Sequence, residues 1–116
     1  MTDRNRAPGI DDGFELPETG PDGHLLDPDG WSEDVARELA ARDGVELGEL
    51  HWWLIRFVRG HFQRYGNPPL MRMAVAALRE AGVEDASSRT LYRLFPDGPI
   101  RLACRYAGLP APDACI

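Results

Sequence analysis

Two cysteines carry the reactive chemistry available to this chain: Cys104 and the penultimate Cys115. A thiolate is at once a nucleophile, a metal ligand and a redox centre, and its surroundings decide which role it takes. Cys104 falls on the apolar stripe Ile100, Ala103, Cys104, Ala107, where a cysteine taken alone is a small core hydrophobe. Cys115 adds no packing at a chain end and is open to oxidation. With only two cysteines in the chain, that placement tilts the pair towards chemistry. The residues between them set how they can meet. Gly108 stops the helix that carries Cys104. Pro110 and Pro112 keep the chain beyond it extended. The segment Gly108, Leu109, Pro110 to Pro112 thus reads as the root of an exposed arm with a thiol at its tip. Seven steps separate Gly108 from Cys115, so the tip reaches roughly 20 Å at about 3.3–3.6 Å per residue. Folded back, the arm closes a short loop at modest entropic cost. A disulfide would need the two Cα atoms within about 4.4–6.8 Å. An arm-out and an arm-in state are both permitted.

The elements that must position these thiols are helices. Ser32 is a good N-cap, with Glu33 and Asp34 in the first turn and Gly44 after the end. Val35, Ala36, Leu39 and Ala40 form that helix's buried stripe, and Trp31 stands at the spacing of a hydrophobic staple on Ala36. In the second helix Leu50, Trp53, Leu54, Phe57, Val58 and Phe62 recur at helical spacing, followed by Tyr65, and Gly66 stops it. Trp53 is therefore expected in the core, and Trp52 over a neighbouring helix or the root of the arm. A third helix is expected to be capped by Asn67 with Pro68 first, burying Leu70, Met73, Ala74, Ala77 and Leu78 and ending at Gly82. Ser87 or Ser88 opens a fourth helix carrying Leu91, Leu94 and Phe95. Pro96-Asp97-Gly98-Pro99 turns the chain into the fifth. Upstream, Phe14-Glu15-Leu16 and His24-Leu25-Leu26 flank a turn-forming segment and read as a poorly paired β-hairpin, with His24 an exposed strand residue. The expected fold is mainly α: a small orthogonal bundle of about five helices with a peripheral N-terminal hairpin and a flexible C-terminal arm. The expected division is a disordered stretch over 1–13, a helical domain over 14–107 and a mobile arm over 108–116.

The chain of 116 residues suits one small domain. No run is long enough to span a membrane, and the N-terminus lacks a signal peptide's apolar core. A cytoplasmic location with reduced thiols is therefore expected. Residues 1–49 carry a net charge of −10 and residues 50–116 one of +4, within a total of −6. An acidic chain is a poor autonomous nucleic-acid binder. Its basic half could dock an acidic partner, draw in an anionic sulfur species, or simply be a solvated arginine-rich surface. Two cysteines with the scattered His24, His51 and His61 give no zinc spacing, so neither metal nor cofactor is expected. No phosphate loop or Ser/His/Asp grouping stands out.

The run Leu91-Tyr92-x-Leu94-Phe95-Pro96-x-Gly98-Pro99, then Ala103-Cys104, Ala107-Gly108-Leu109-Pro110-x-Pro112 and Cys115 before a terminal aliphatic, resembles the DsrC/TusE family of sulfur-relay proteins. Trp31, Ala36, His51-Trp52, Arg59, Pro69 and Arg72 extend the resemblance over roughly residues 24–116. It implies a sulfur carrier in which Cys115 takes sulfur as a persulfide and passes it on. Its nearest charges, Asp113 and the Ile116 carboxylate, disfavour the thiolate, so a partner would have to activate it. Arg101, three residues before Cys104 on the same helix face, and Arg105 are candidates for activating a thiol or binding an anion, with Arg101 given the larger part. Simple charge complementarity at a helix end accounts for them equally well.

Within the resembled family, relatives serving tRNA 2-thiouridine synthesis need only the penultimate cysteine. Relatives that act as protein co-substrate of dissimilatory sulfite reductase carry a second one eleven positions earlier, as Cys104 stands to Cys115. The resemblance therefore implies the two-cysteine type, in which Cys104 and Cys115 form a disulfide or trisulfide. The implied partners are a sulfite reductase-type enzyme and upstream sulfurtransferases, met transiently by a monomer, with a membrane-complex redox partner as a further candidate. A relay of the TusE kind is the alternative. A redox-sensing regulatory helical module stands behind both.

Overall fold

In the computed structural model, residues 16–110 are described. The helix on which three of the others pack is the last, α5 (Pro99–Tyr106), and its composition explains why. Pro99, Ile100, Leu102, Ala103, Cys104 and Tyr106 are all buried, leaving only Arg101 and Arg105 for solvent or charge partners. A helix apolar on nearly every side has to lie inside. It packs most extensively on α2 (Glu49–Tyr65), then on α1 (Glu33–Arg42), while α4 (Ser88–Leu94) contacts both α5 and α3 (Met71–Glu80). Among the described residues, five helices with short connections make up the fold, and a single 3-10 turn over Pro28–Gly30 precedes them. Among the described residues no helix is long and apolar enough to cross a membrane.

Local signals explain most of the boundaries. Ser32 caps α1 by accepting from the Val35 N–H, and Val35, Ala36, Leu39 and Ala40 are its buried stripe. Ser87 caps α4 in the same way, accepting from Thr90 N–H. Gly98, at φ +118, turns the chain into Pro99 at the first position of α5.

Four expectations are corrected. First, α3 begins at Met71 behind Leu70, not at an Asn67 cap. Pro69 follows Pro68 directly, and a residue before proline is pushed out of the helical region, so no helix can start there. Second, its inner face is narrower: Ala74 and Leu78 are buried, but Met73 is 42% exposed. Third, the buried face of α2 is Leu54, Ile55 and Val58. Trp53 is half-buried and stacks on Phe57 at 5.3 Å along the flank, and Tyr65 is exposed. Trp52 lies under two guanidiniums, Arg37 of α1 at 5.2 Å and Arg56 at 5.4 Å, so it covers the neighbouring helix. Fourth, the β-hairpin is not shown as strands: there is no strand among the described residues, and Phe14 and Glu15 of its first arm lie outside them. In its place the chain reverses through one antiparallel bridge between Thr19 and Leu25. Pro17 and Pro21 lack the N–H that a ladder needs.

Candidate functional site

The site is the C-terminal end of α5, where the chain turns towards its tail. A helix leaves its last carbonyls without intrahelical partners. Here the turn itself accounts for two of them. Leu109 N–H donates to the Cys104 carbonyl at 2.9 Å and Gly108 N–H to that of Arg105 at 3.2 Å, with Gly108 at φ +75. This is a Schellman cap, with its apolar residue Leu109 buried at 2% exposure.

Side chains from distant elements satisfy the next carbonyls. The Trp31 indole Nε1 donates to Tyr106 O at 2.7 Å. The Arg59 guanidinium, from the middle of α2, donates to Ala107 O at 2.8 Å. His24 Nδ1 donates to Leu109 O at 2.9 Å in a buried bond that spans 85 positions of sequence. Arg59 also lies 4.2 Å from the centre of the Trp31 ring, and a cation at a helix C-terminus complements its dipole. Trp31 in turn closes over Gly108: a Cβ there would stand 2.7 Å from Trp31 Cδ1. Glycine is thus required at position 108 both by its backbone angle and by the close approach. His24 is 5% exposed, which corrects its expected place on an open strand. Leu109 is buried and only Pro110 is exposed, so the root of the arm is packed where an exposed arm was expected from Gly108 on.

Inside this turn lies Cys104, a free thiol with no exposed surface. Burial pushes its pKa up from 9.0 to about 12. The thiol form is therefore the resting form, and roughly one part in 10⁵ is thiolate at neutral pH. The flanking arginines are engaged elsewhere. Arg101 is exposed and donates to the Asp97 carbonyl. Arg105 pairs with Asp43 at 3.2 Å, and the same carboxylate accepts from the Tyr106 hydroxyl at 2.8 Å. Burial, together with the Asp43 contact, raises the pKa of Tyr106 as well.

A family model described as DsrC like protein matches residues 14–116. The chain is 44% identical over 105 residues to the sulfurtransferase TusE homolog of Haemophilus influenzae, covering 90% of this chain and 95% of that one. Its structure is similar to the oxidized gamma-subunit of dissimilatory sulfite reductase (DsrC) from Archaeoglobus fulgidus. There the TM-score is 0.78 and the identity 40%, over 86% of this chain and 92% of that one. It is similar also to the NMR structure of Allochromatium vinosum DsrC, with a TM-score of 0.73 and 39% identity, over 83% and 87% of the two chains. The chain belongs to the DsrC-like family. In this DsrC-like protein the structure brings Cys104, Gly108 and Leu109 into one turn and places Pro110 at its edge. Pro112 and Cys115 lie outside the described residues.

Three residues of the DsrC-like turn escaped reasoning from periodicity: His24, Trp31 and Arg59. No local signal ties a histidine to a carbonyl 85 positions away. Trp31 is singled out by its staple spacing before α1 and by the family resemblance, Arg59 by the resemblance alone, and neither signal carries their shared task at the end of α5.

Proposed function

We propose that this DsrC-like protein is a cytoplasmic sulfur carrier of the TusE kind, with Cys115 as the carrier thiol. The observation that carries the proposal is the 44% identity to a TusE homolog over 90% of the chain, in a family match that runs to residue 116 and so includes Cys115. The state of Cys104 supports it: a buried thiol with a pKa raised to about 12 is not a ready nucleophile. In the reaction the Cys115 thiolate attacks the outer sulfur of a donor persulfide. The donor's S–S bond breaks, the donor leaves as a thiolate, and Cys115 holds the sulfur as a persulfide. No net oxidation occurs. A sulfurtransferase is the donor, met transiently, and the acceptor lies on the route to tRNA 2-thiouridine. Arg101 and Arg105 enter this proposal as attractors of anionic sulfur, since burial is what sets the ionisation of Cys104.

One observation favours a second reading, a protein co-substrate of a sulfite reductase-type enzyme: Cys104 itself, eleven positions before Cys115, together with the likeness to DsrC structures. There the Cys104 thiolate attacks the inner sulfur of the Cys115 persulfide. A Cys104–Cys115 disulfide forms and hydrosulfide leaves, so the carried sulfur is reduced as the thiols are oxidised. A membrane-complex redox partner would then be needed to return the thiols.

Persulfide loading followed by alkylation and peptide mass spectrometry separates the two, on wild type, Cys104→Ala and Cys115→Ala. The TusE kind predicts one added sulfur on Cys115 whether or not Cys104 is present. A Cys104-dependent disulfide with release of sulfide would move the assignment to the two-thiol co-substrate. Absence of sulfur on Cys115 in Cys104→Ala, with no disulfide in loaded wild type, would refute both and bring a redox-sensing module forward.

A further inference from the structure

The Schellman turn already closes α5, so three further side chains on the carbonyls of Tyr106, Ala107 and Leu109 go beyond what ending a helix requires. They come from three separate places: His24 from the segment beside the Thr19–Leu25 bridge, Trp31 from before α1, and Arg59 from the middle of α2. Each is a directional N–H donor aimed at a backbone acceptor, and two of them also pack on each other. A hydrophobic contact alone would let the departing chain slide; hydrogen bonds to carbonyls 106, 107 and 109 fix its path residue by residue. We infer that His24, Trp31 and Arg59 are positioning residues for the thiol-bearing tail. They hold the chain to Leu109, so that the tail leaves the body from one point, Pro110. This inference rests on the carrier reading for its purpose, but the anchoring itself does not depend on sulfur.

The reach of the chain beyond that point is correspondingly shorter than from Gly108. Five steps from Pro110 to Cys115 reach at most about 18 Å. A partner then meets the thiol within a limited zone around the C-terminal end of α5, bordered by Trp31, Arg59 and His24.

The test uses the full chain. Amide hydrogen exchange is measured by NMR in wild type, Trp31→Phe, His24→Leu, Arg59→Met and Arg59→Lys. A nitroxide on Cys115 in a Cys104→Ala background maps where the tail visits through broadening of body amides. Loss of one donor is expected to lower protection of the Gly108 and Leu109 amides about fivefold. Protection of Leu54, Ile55 and Val58 in α2 stays as in wild type. Arg59→Lys, which keeps a donor, retains most of the protection that Arg59→Met loses. Nitroxide broadening spreads over more of the surface in the donor-less variants. Unchanged exchange at Gly108 and Leu109 overturns the inference. So does an equal loss of protection throughout α2, which is ordinary destabilisation, or an unchanged broadening map. Loading with glutathione persulfide is run beside these. If wild-type Cys115 takes up no sulfur, the carrier reading falls, while exchange and broadening still decide whether the three residues anchor the tail.

Discussion

Gly108→Ala is the substitution on which the account of the tail's root can fail most clearly, because a second glycine serves as its control. Gly66, at the C-terminus of α2, has φ +78, and a Cβ added there meets nothing within 4 Å. Gly108 has nearly the same angle, φ +75, but its Cβ would lie 2.7, 2.8 and 2.9 Å from Trp31 Cδ1, Cβ and Cγ. The left-handed backbone alone costs an alanine about 1–2 kcal/mol at either position. At position 108 Trp31 must also move. It then loses its bond to Tyr106 O, worth about 1 kcal/mol net, and its stack with Arg59, worth about another 0.5–1 kcal/mol. The expected total is about 2.5–4 kcal/mol at position 108 against about 1–2 kcal/mol at position 66. Urea unfolding monitored by far-UV circular dichroism measures both. With a slope of about 2 kcal/mol/M, the midpoint falls by roughly 1.3–2 M for Gly108→Ala and by about 0.5–1 M for Gly66→Ala. Equal midpoints with unchanged slopes would mean that Trp31 does not close over Gly108, and the reasoning about the anchored tail would go with it.

Two further outcomes concern titration. The Cys104 pKa is raised by folding, from 9.0 to about 12, so its contribution to stability is fully present below pH 9.0 and is lost as pH rises towards 12. Cys104→Ala should flatten the alkaline fall, and iodoacetamide at about pH 8 should label Cys115 in native protein and leave Cys104 until urea is added; comparable native labelling of both thiols would contradict the burial. His51 accepts from Gly48 N–H through Nδ1 and donates to Leu94 O through Nε2, an arrangement that needs the neutral ring, and burial lowers its pKa below 6.5. Its contribution is therefore present above pH 6.5 and lost as pH falls below it, so His51→Gln should flatten the acid limb of a stability–pH curve, and an unchanged slope would exclude His51 as its source.

Neighbouring residues decide among themselves the features that were readable from sequence. The α1 cap, first-turn acids and apolar stripe lie close together along the chain, and each acts on the backbone next to it. The α4 cap and the Gly98-Pro99 entry to α5 are of the same kind. Spacing failed where two apolar residues compete for one wall. Trp53 and Ile55 both fit a helical stripe on α2, and the packing of α5 against that helix selects Ile55. It failed again where one proline overrides another, as Pro69 does to Pro68 at the start of α3. At the site, Cys104 on a buried stripe was legible, because helical periodicity places it. The three donors on the tail's root were not, because carbonyls at the end of α5 choose partners by three-dimensional proximity, and sequence separation carries no information about that.

The anchored root also bears on how two thiols in one chain can be kept apart. Cys104 has no exposed surface, so Cys115 can meet it only through a local opening. If the opening takes the tail's root, it breaks five hydrogen bonds: Leu109 N–H to Cys104 O, Gly108 N–H to Arg105 O and the three from Trp31, Arg59 and His24. At about 1 kcal/mol each, the open form is populated at about 2 × 10⁻⁴. Sulfur held on Cys115 would then be shielded from intramolecular reduction by a factor of about 5,000, which suits a relay that must hand sulfur on intact. A partner that binds the open form could remove this protection, and the bonds it has to break are those of His24, Trp31 and Arg59. The same three residues therefore separate the two readings of the chain. Weakening them should leave a TusE-like carrier's sulfur loading unchanged, and should speed Cys104–Cys115 disulfide formation in a two-thiol co-substrate by about fivefold per lost bond.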